Sequence, residues 1–144
     1  MSQENVEIVR RMGEIVVHEK DPGGGFDQCV REGLLDANVE WRGGARGGRA
    51  VAGMENVVGR DDYLEMMRRF SEDFEDLSLE VEQIVDAGAD RVMAIFRALG
   101  TGRRSGAPVE MRMAYIFWLE ARRVVRADPY LEPSEALKAV GLSE

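Results

Sequence analysis

Hydrophobic positions recur with two different spacings along this chain. In the first half, apolar residues return every three or four positions, which predicts amphipathic helices. From Leu77 onward they return every second position, which predicts strands. The change of spacing therefore predicts helices followed by four consecutive strands that form an antiparallel meander, with a short closing helix from Pro133 to Gly141.

Three helices are predicted in the first half. The first begins at Ser2, a good capping residue, and ends near Lys20; its apolar stripe contains Val6, Val9, Met12 and Val16. Residues 21–25, Asp-Pro-Gly-Gly-Gly, are expected to interrupt helical structure. A second short helix is predicted from Phe26 to near Asn38, and Val39-Glu40-Trp41 is expected to be extended. The third helix begins near Gly59, and its stripe contains Tyr63, Met66, Met67, Phe70 and Phe74.

The strongest strand signal lies between Pro108 and Leu131, where two long strands are joined by a tight turn at residues 120–122. Odd positions from Val109 to Leu119 form an apolar face, and even positions form a mixed face of Glu110, Arg112, Ala114, Ile116 and Trp118. We expect the mixed face to point into a cavity, where its charged groups would need partners. The apolar face would then lie outside, which predicts a homodimer through the sheet.

The composition of the chain argues against several classes of partner and binding site. The 144 residues are enough for one domain, residues 1–144, and the formal net charge of −8 argues against nucleic acid as a partner. One Cys and one His are too few for a zinc site of soft or imidazole ligands. A metal site of carboxylates alone stays open but has no motif, so no metal is predicted, and no cofactor is predicted either. No apolar run reaches the roughly 20 residues of a membrane span, and the polar first residues predict a cytoplasmic location.

A glycine-rich, basic segment follows Trp41. It contains two Arg-Gly-Gly triplets within residues 42–49, but no Gly-Lys-Ser/Thr of a phosphate-binding loop. We interpret the stretch from Gly43 to Gly48 as a surface loop that could cover a pocket.

The order of elements and four local strings resemble the SnoaL-like branch of the nuclear-transport-factor-2-like superfamily. The strings are Glu4 to Met12 (ENVEIVRRM), Val39 to Arg42 (VEWR), Gly106 to Arg112 (GAPVEMR) and Val124 to Arg126 (VVR). The resemblance covers almost the whole chain. It implies an α+β fold in which a curved antiparallel sheet forms a cone-shaped barrel around about three N-terminal helices, with a pocket between them and commonly a dimer.

The catalytic residues that this resemblance implies are incomplete here. Ketosteroid isomerases use a Tyr and two Asp residues, and the matching positions are Met12, Ala114 and Trp41. Limonene epoxide hydrolases use an Asp-Arg-Asp set, of which only Arg112 is present. Ala114 and Pro129 occupy the two aspartate positions. Both known sets are therefore broken.

Three functions are compatible with the sequence, and the third of them is an interaction module whose cone would be filled by side chains with no void. The first is a SnoaL-like protein that binds a small, apolar or amphipathic molecule in a pocket. Its predicted lining is Met12, Val16, Trp41, Tyr63, Met66, Phe70, Glu110, Ala114, Ile116 and Trp118. The alternative is an isomerase, dehydratase or epoxide hydrolase that uses Arg112 with Glu40 or Asp128, because a fixed guanidinium suits an enolate or carboxylate and a buried carboxyl group can act as an acid or base. Arg112 could equally have a structural role and form an internal ion pair with Glu110 or Glu40 in place of a ligand contact.

Overall fold

The computed structural model describes residues 2–41 and 57–142, and within them it contains four helices and six strands. The helices are α1 (Ser2–His18), α2 (Pro22–Arg31), α3 (Gly59–Ser71) and α4 (Pro133–Ala139). The strands are β1 (Leu35–Trp41), β2 (Val57–Val58), β3 (Phe74–Gly88), β4 (Arg91–Gly102), β5 (Pro108–Glu120) and β6 (Arg123–Tyr130). The predicted α+β class is confirmed. The glycine-rich segment from Gly43 to Gly48 lies outside the described residues.

All six strands form one curved, unclosed sheet in the order β2-β1-β6-β5-β4-β3. Strands β3 to β6 form the predicted antiparallel meander. The predicted curved sheet is confirmed, and it is mixed where the prediction named antiparallel pairing, because β1 pairs with β6 in the parallel sense. That pairing joins two segments far apart in the sequence, and no local pattern of residues encodes it.

The segment around α2 differs from the prediction at both ends. The helix begins at Pro22 and includes all three glycines, because Pro occupies its first turn and the Asp21 side chain accepts a hydrogen bond from the backbone N–H of Gly24 at 3.1 Å. It ends at Arg31, and β1 starts at Leu35, earlier than the predicted extended segment. The favourable cap therefore outweighs the weak helix propensity of the glycines.

Two apolar cores lie on opposite sides of the sheet. The inner core packs α1, α2 and α3 against the concave face, and Val9, Ile15, Phe26, Val39 and Met66 belong to it. The outer core is smaller and packs α4 against the other face through Ala136 and Leu137. We call these sides of the sheet the inner face and the outer face.

The two faces of strand β5 are reversed relative to the prediction, so that the apolar face lies inside and the mixed face lies outside. Met113, Phe117 and Leu119, from the apolar odd face, belong to the inner core, whereas Ala114 and Ile116, from the mixed even face, belong to the outer core. The expectation that the mixed face lines the cavity is therefore wrong. Three amphipathic helices must bury their apolar stripes, and the uniformly apolar face of β5 is the one that can cover them.

Candidate functional site

A cavity of about 320 Å³ lies between the inner face of the sheet and helices α1 to α3. Its described lining is predominantly apolar. Helix residues in the lining include Val9, Met12, Gly13, Val16, Phe26, Cys29, Tyr63 and Met67. Strand residues include Leu35, Trp41, Leu77, Leu79, Phe96, Ala98, Met113, Tyr115 and Phe117. The volume is in the range in which proteins bind small organic molecules.

Polar side chains of the lining fall into two groups. Glu19, Lys20 and Ser71 are exposed residues at the ends of α1 and α3, so they border the cavity on its solvent side. Tyr63, Tyr115 and Ser78 form the second group and are half-buried, and both tyrosine rings lie among aromatic side chains. The interior of the described lining is thus apolar except for these three hydroxyl groups, the indole N–H of Trp41 and the buried thiol of Cys29.

Aromatic contacts fix the ring of Tyr63. It lies between Phe26, with ring centroids 5.2 Å apart, and Trp41, with centroids 4.7 Å apart. Such tilted pairs are favourable and restrict ring motion. The Tyr63 ring is therefore held in place by one residue of α2 and one of β1.

The ring of Tyr115 is held in a similar way by the sheet. Phe96 meets it edge to face at a centroid distance of 5.4 Å, and Phe117 stacks on it at 5.6 Å. Phe117 is two residues further along the same face of β5, and Phe96 comes from the neighbouring strand β4. Both tyrosines thus occupy defined positions in the cavity wall.

Burial sets the protonation state of the polar groups in the interior. It raises the pKa of Tyr115 to about 12 and that of the Cys29 thiol to about 11. Burial also raises the pKa of Tyr63, with smaller contributions from Tyr115 and Cys29. At neutral pH these groups are uncharged, so the phenols can donate hydrogen bonds and the thiol is a poor nucleophile.

Four predicted pocket residues do line the cavity. Met12 and Val16 contribute from α1, Trp41 from the end of β1 and Tyr63 from α3. Met66 is buried in the inner core but does not reach the cavity. The side chain of Phe70 lies outside the part of the molecule that the structure describes.

The charged residues of the mixed face of β5 lie on the outer face of the sheet. Arg112 donates from Nε to Glu82 Oε2 at 2.8 Å, and Glu110 accepts from Arg97 Nε at 2.9 Å. Arg112 therefore pairs with neither Glu110 nor Glu40, and neither Arg112 nor Glu110 borders the cavity. Charges at this end of the sheet remain solvated because α4 covers only the other end.

Asp128 belongs to a separate cluster on the outer face. Its side chain is 3% exposed and accepts hydrogen bonds from Trp118 Nε1 at 3.0 Å and from Arg126 Nε and Nη2 at 2.9 and 2.8 Å. The Arg126 guanidinium also stacks over the Trp118 ring, 4.7 Å from its centroid. Trp118, together with the predicted pocket residues Ala114 and Ile116, thus contributes to the outer core and not to the cavity.

Glu40, the third predicted catalytic residue, is half-buried at the end of β1 and does not line the cavity. Its neighbours Val39 and Trp41 both face the inner core, so alternation places the Glu40 side chain on the other face. The three predicted catalytic residues are therefore not brought together around the cavity.

Sequence reasoning missed Tyr115, Phe96 and Cys29 as cavity residues. Tyr115 lies on the apolar face of β5, which had been assigned to the outside. The available signal was its position among six bulky apolar residues of one face, which is a surface long enough to cover the predicted helices. Within residues 2–41 and 57–142, no group of three or more His, Cys, Asp or Glu side chains could hold a metal ion.

Comparison with known families and structures gives the affiliation of the chain. The model of the SnoaL-like domain matches residues 11–127. The chain belongs to the SnoaL-like domain family. No protein in a search of curated sequences matches it. In the described residues, no helix has the length and apolar character needed to cross a membrane.

Solved structures show the same fold at low sequence identity. A hypothetical protein from Catenulispora acidiphila with a ketosteroid isomerase-like fold is 16% identical, with a TM-score of 0.65, covering 94% of this chain and 93% of its own. A protein from Jannaschia, provisionally described as a SnoaL-like polyketide cyclase, is 19% identical, with a TM-score of 0.61 and coverage of 99% and 94%. An NTF2-like protein of unknown function from Burkholderia pseudomallei is 14% identical, with a TM-score of 0.62 and coverage of 96% and 98%. These likenesses concern the fold.

Proposed function

We propose that this SnoaL-like domain binds a small, mainly apolar molecule in the cavity between the helices and the inner face of the sheet. The observation that carries the proposal is the cavity itself, about 320 Å³ in volume, with an apolar lining and two fixed phenol groups. Transfer of an apolar molecule from water into such a space is favourable in proportion to the area it buries. The Catenulispora protein was crystallised in complex with trimethylamine, so a protein of this fold also binds a small organic molecule.

Enzymatic turnover through Arg112 with Glu40 or Asp128 finds no support in the geometry. None of the three residues borders the cavity, and Arg112 and Asp128 are engaged in ion pairs on the outer face. A ligand in the cavity would therefore be separated from these groups by the sheet. Binding is the function that the arrangement supports best.

Calorimetric titration with tetralin, a bicyclic hydrocarbon, tests the proposal. Ala98 is buried and lines the cavity, so Ala98→Phe should fill part of the space and weaken binding at least tenfold. Ala107 is exposed, and Ala107→Phe is the matched control that should bind as the parent protein does. Absence of measurable tetralin binding to the parent protein would reject the proposal, as would equal affinity of parent and Ala98→Phe, with circular dichroism used to check that each variant is folded.

The homodimer and the cytoplasmic location remain predictions. The apolar face that motivated the dimer is the inner face, so we propose that any contact between two copies uses the outer face beyond α4. There Arg97 and Arg112 lie beside Glu80, Glu82 and Glu110, and a two-fold axis could place opposite charges together. Light scattering at micromolar concentration should give twice the 16.1 kDa chain mass; a mass of one chain would exclude the dimer.

A further inference from the structure

The hydroxyls of Tyr63 and Tyr115 have no hydrogen-bond partner among the residues that the structure describes. Yet no side-chain nitrogen or oxygen in that part of the chain is both fully buried and unpartnered. The two hydroxyl oxygens must therefore be in contact with open space, and both residues line the cavity. Each phenol thus has an unused hydrogen-bond donor at the wall of a predominantly apolar cavity, in which Ser78 supplies the other half-buried hydroxyl.

The two hydroxyls approach the cavity from different elements. Tyr63 projects from the first turns of α3, and Tyr115 lies near the centre of β5. Because aromatic neighbours fix both rings, a ligand that uses these donors does not need to order them first.

We propose that the ligand of this cavity carries a neutral acceptor oxygen, such as a ketone, quinone or ester carbonyl, which accepts hydrogen bonds from Tyr63 and Tyr115. This inference rests on the proposed function and specifies the class of molecule that the cavity takes. A carbonyl oxygen has two lone pairs and can accept from two donors at once. A buried donor left without a partner is unfavourable, so the site favours ligands with an acceptor over hydrocarbons of the same shape.

The distribution of charge favours a neutral oxygen over a carboxylate. In the described lining, the charged residues are Glu19 and Lys20, and both are exposed on the solvent side of the cavity. An anion taken to the level of the tyrosines would lose its hydration without gaining a neighbouring cation from residues 2–41 or 57–142, and this is strongly unfavourable. A carbonyl loses much less hydration and is satisfied by the two phenols.

A matched pair of probes separates this inference from the proposed function. Tetralin and α-tetralone share one bicyclic skeleton, and only the ketone has an acceptor oxygen. The parent protein should bind α-tetralone about fivefold more tightly than tetralin, or better, as expected for one or two neutral hydrogen bonds. Tyr63→Phe and Tyr115→Phe should each reduce this advantage, and the double variant should abolish it while it still binds tetralin.

Tyr130→Phe is the matched control, because Tyr130 belongs to the outer core and does not line the cavity. It should leave both affinities unchanged. Equal affinity of the parent protein for the two probes would overturn the inference and leave the proposed function intact. Tighter binding of tetralin-1-carboxylate than of α-tetralone would also overturn it, and failure of both neutral probes to bind would overturn the inference and the proposed function together.

The infrared spectrum of bound α-tetralone provides a readout that does not depend on any variant. Hydrogen bonds to the oxygen weaken the carbonyl bond, so its stretching frequency should fall well below the value in cyclohexane. The shift should become smaller in Tyr63→Phe and in Tyr115→Phe, and it should be unchanged in Tyr130→Phe. A frequency in the parent protein equal to that in cyclohexane would contradict the inference.

Discussion

Asp128 is a candidate acid or base in the sequence that has a structural role in the fold. It is buried on the outer face, where its carboxylate accepts hydrogen bonds from Trp118 and Arg126. Its acidity and its place near the end of the last strand made it a candidate acid or base, although the aspartate position of the epoxide hydrolases falls at Pro129. The geometry instead makes it one half of an ion pair with Arg126 within β6, and the hydrogen bond that it accepts from Trp118 joins β6 to β5.

Asp128→Asn should therefore lower the free energy of unfolding by about 2 kcal/mol or more, because the largely buried Arg126 guanidinium would lose its counter-charge. Tetralin binding should not change. Glu110→Gln is the control, since the Glu110 side chain is 52% exposed and its ion pair is worth less than about 1 kcal/mol. Urea denaturation of the two variants gives the comparison; a loss for Asp128→Asn no larger than for Glu110→Gln would contradict this assignment.

Tyr115 provides a test by pH. Burial raises its pKa to about 12, above the value near 10 of an unfolded tyrosine. The folded state therefore binds the proton more tightly, and the stabilisation is fully present below about pH 10 and is lost as the pH rises towards 12. Subtracting the tyrosinate absorbance of Tyr115→Phe from that of the parent protein should show ionisation near pH 12. Ionisation near pH 10 in the folded protein would show that the Tyr115 hydroxyl is in contact with bulk water.

At the scale of secondary structure, most of the elements could be predicted from local sequence. The spacing of apolar residues gave the helices α1 and α3 and the strands of the meander, because those patterns arise within single segments. The start of β1 could not be found in this way, since Leu34 and Leu35 also continue the helical spacing of Phe26 and Val30. Its parallel pairing with β6 depends on contacts distant in sequence.

Alternation along β5 identified two faces but not which one lies inside. The charges of Glu110 and Arg112 suggested a functional cavity, whereas they lie at an end of the outer face that α4 leaves open to solvent. Only part of the candidate site was predicted, because the sequence does not show which face of β5 lies inside. Helix residues such as Met12 and Tyr63 were correctly predicted to line the cavity, because the apolar stripe of a helix must face the sheet. Tyr115 was missed because the prediction assigned its face of β5 to the outside.

The turn between β5 and β6 has a backbone that its residues do not favour. Ala121 and Arg122 have φ angles of +50° and +66°, the left-handed region that Asn and Gly adopt more readily. The double substitution Ala121→Asn with Arg122→Gly should raise the free energy of unfolding by about 1 kcal/mol. Arg123→Gly, one position later in the strand, should lower it instead. Thermal or urea unfolding checks both, and no gain from the double substitution would show that the turn carries no strain.

At the scale of the whole molecule, two cores with different roles share one sheet. The inner core surrounds a cavity, whereas the outer core is filled by α4, Ile116 and Met93. Ligand binding should accordingly affect one side of the sheet only. Methionines are distributed over both sides, with Met12, Met67 and Met113 in the cavity lining and Met93 fully buried in the outer core.

The most direct test of the central claim is a titration of the methyl-labelled protein with tetralin, followed by NMR of the methionine methyl groups. The account predicts chemical-shift changes and contacts to the ligand for Met12, Met67 and Met113, with Met93 unaffected. Saturable changes at Met93 without changes at the three cavity methionines, or no saturable change at any methionine, would contradict the claim that the inner cavity is the binding site.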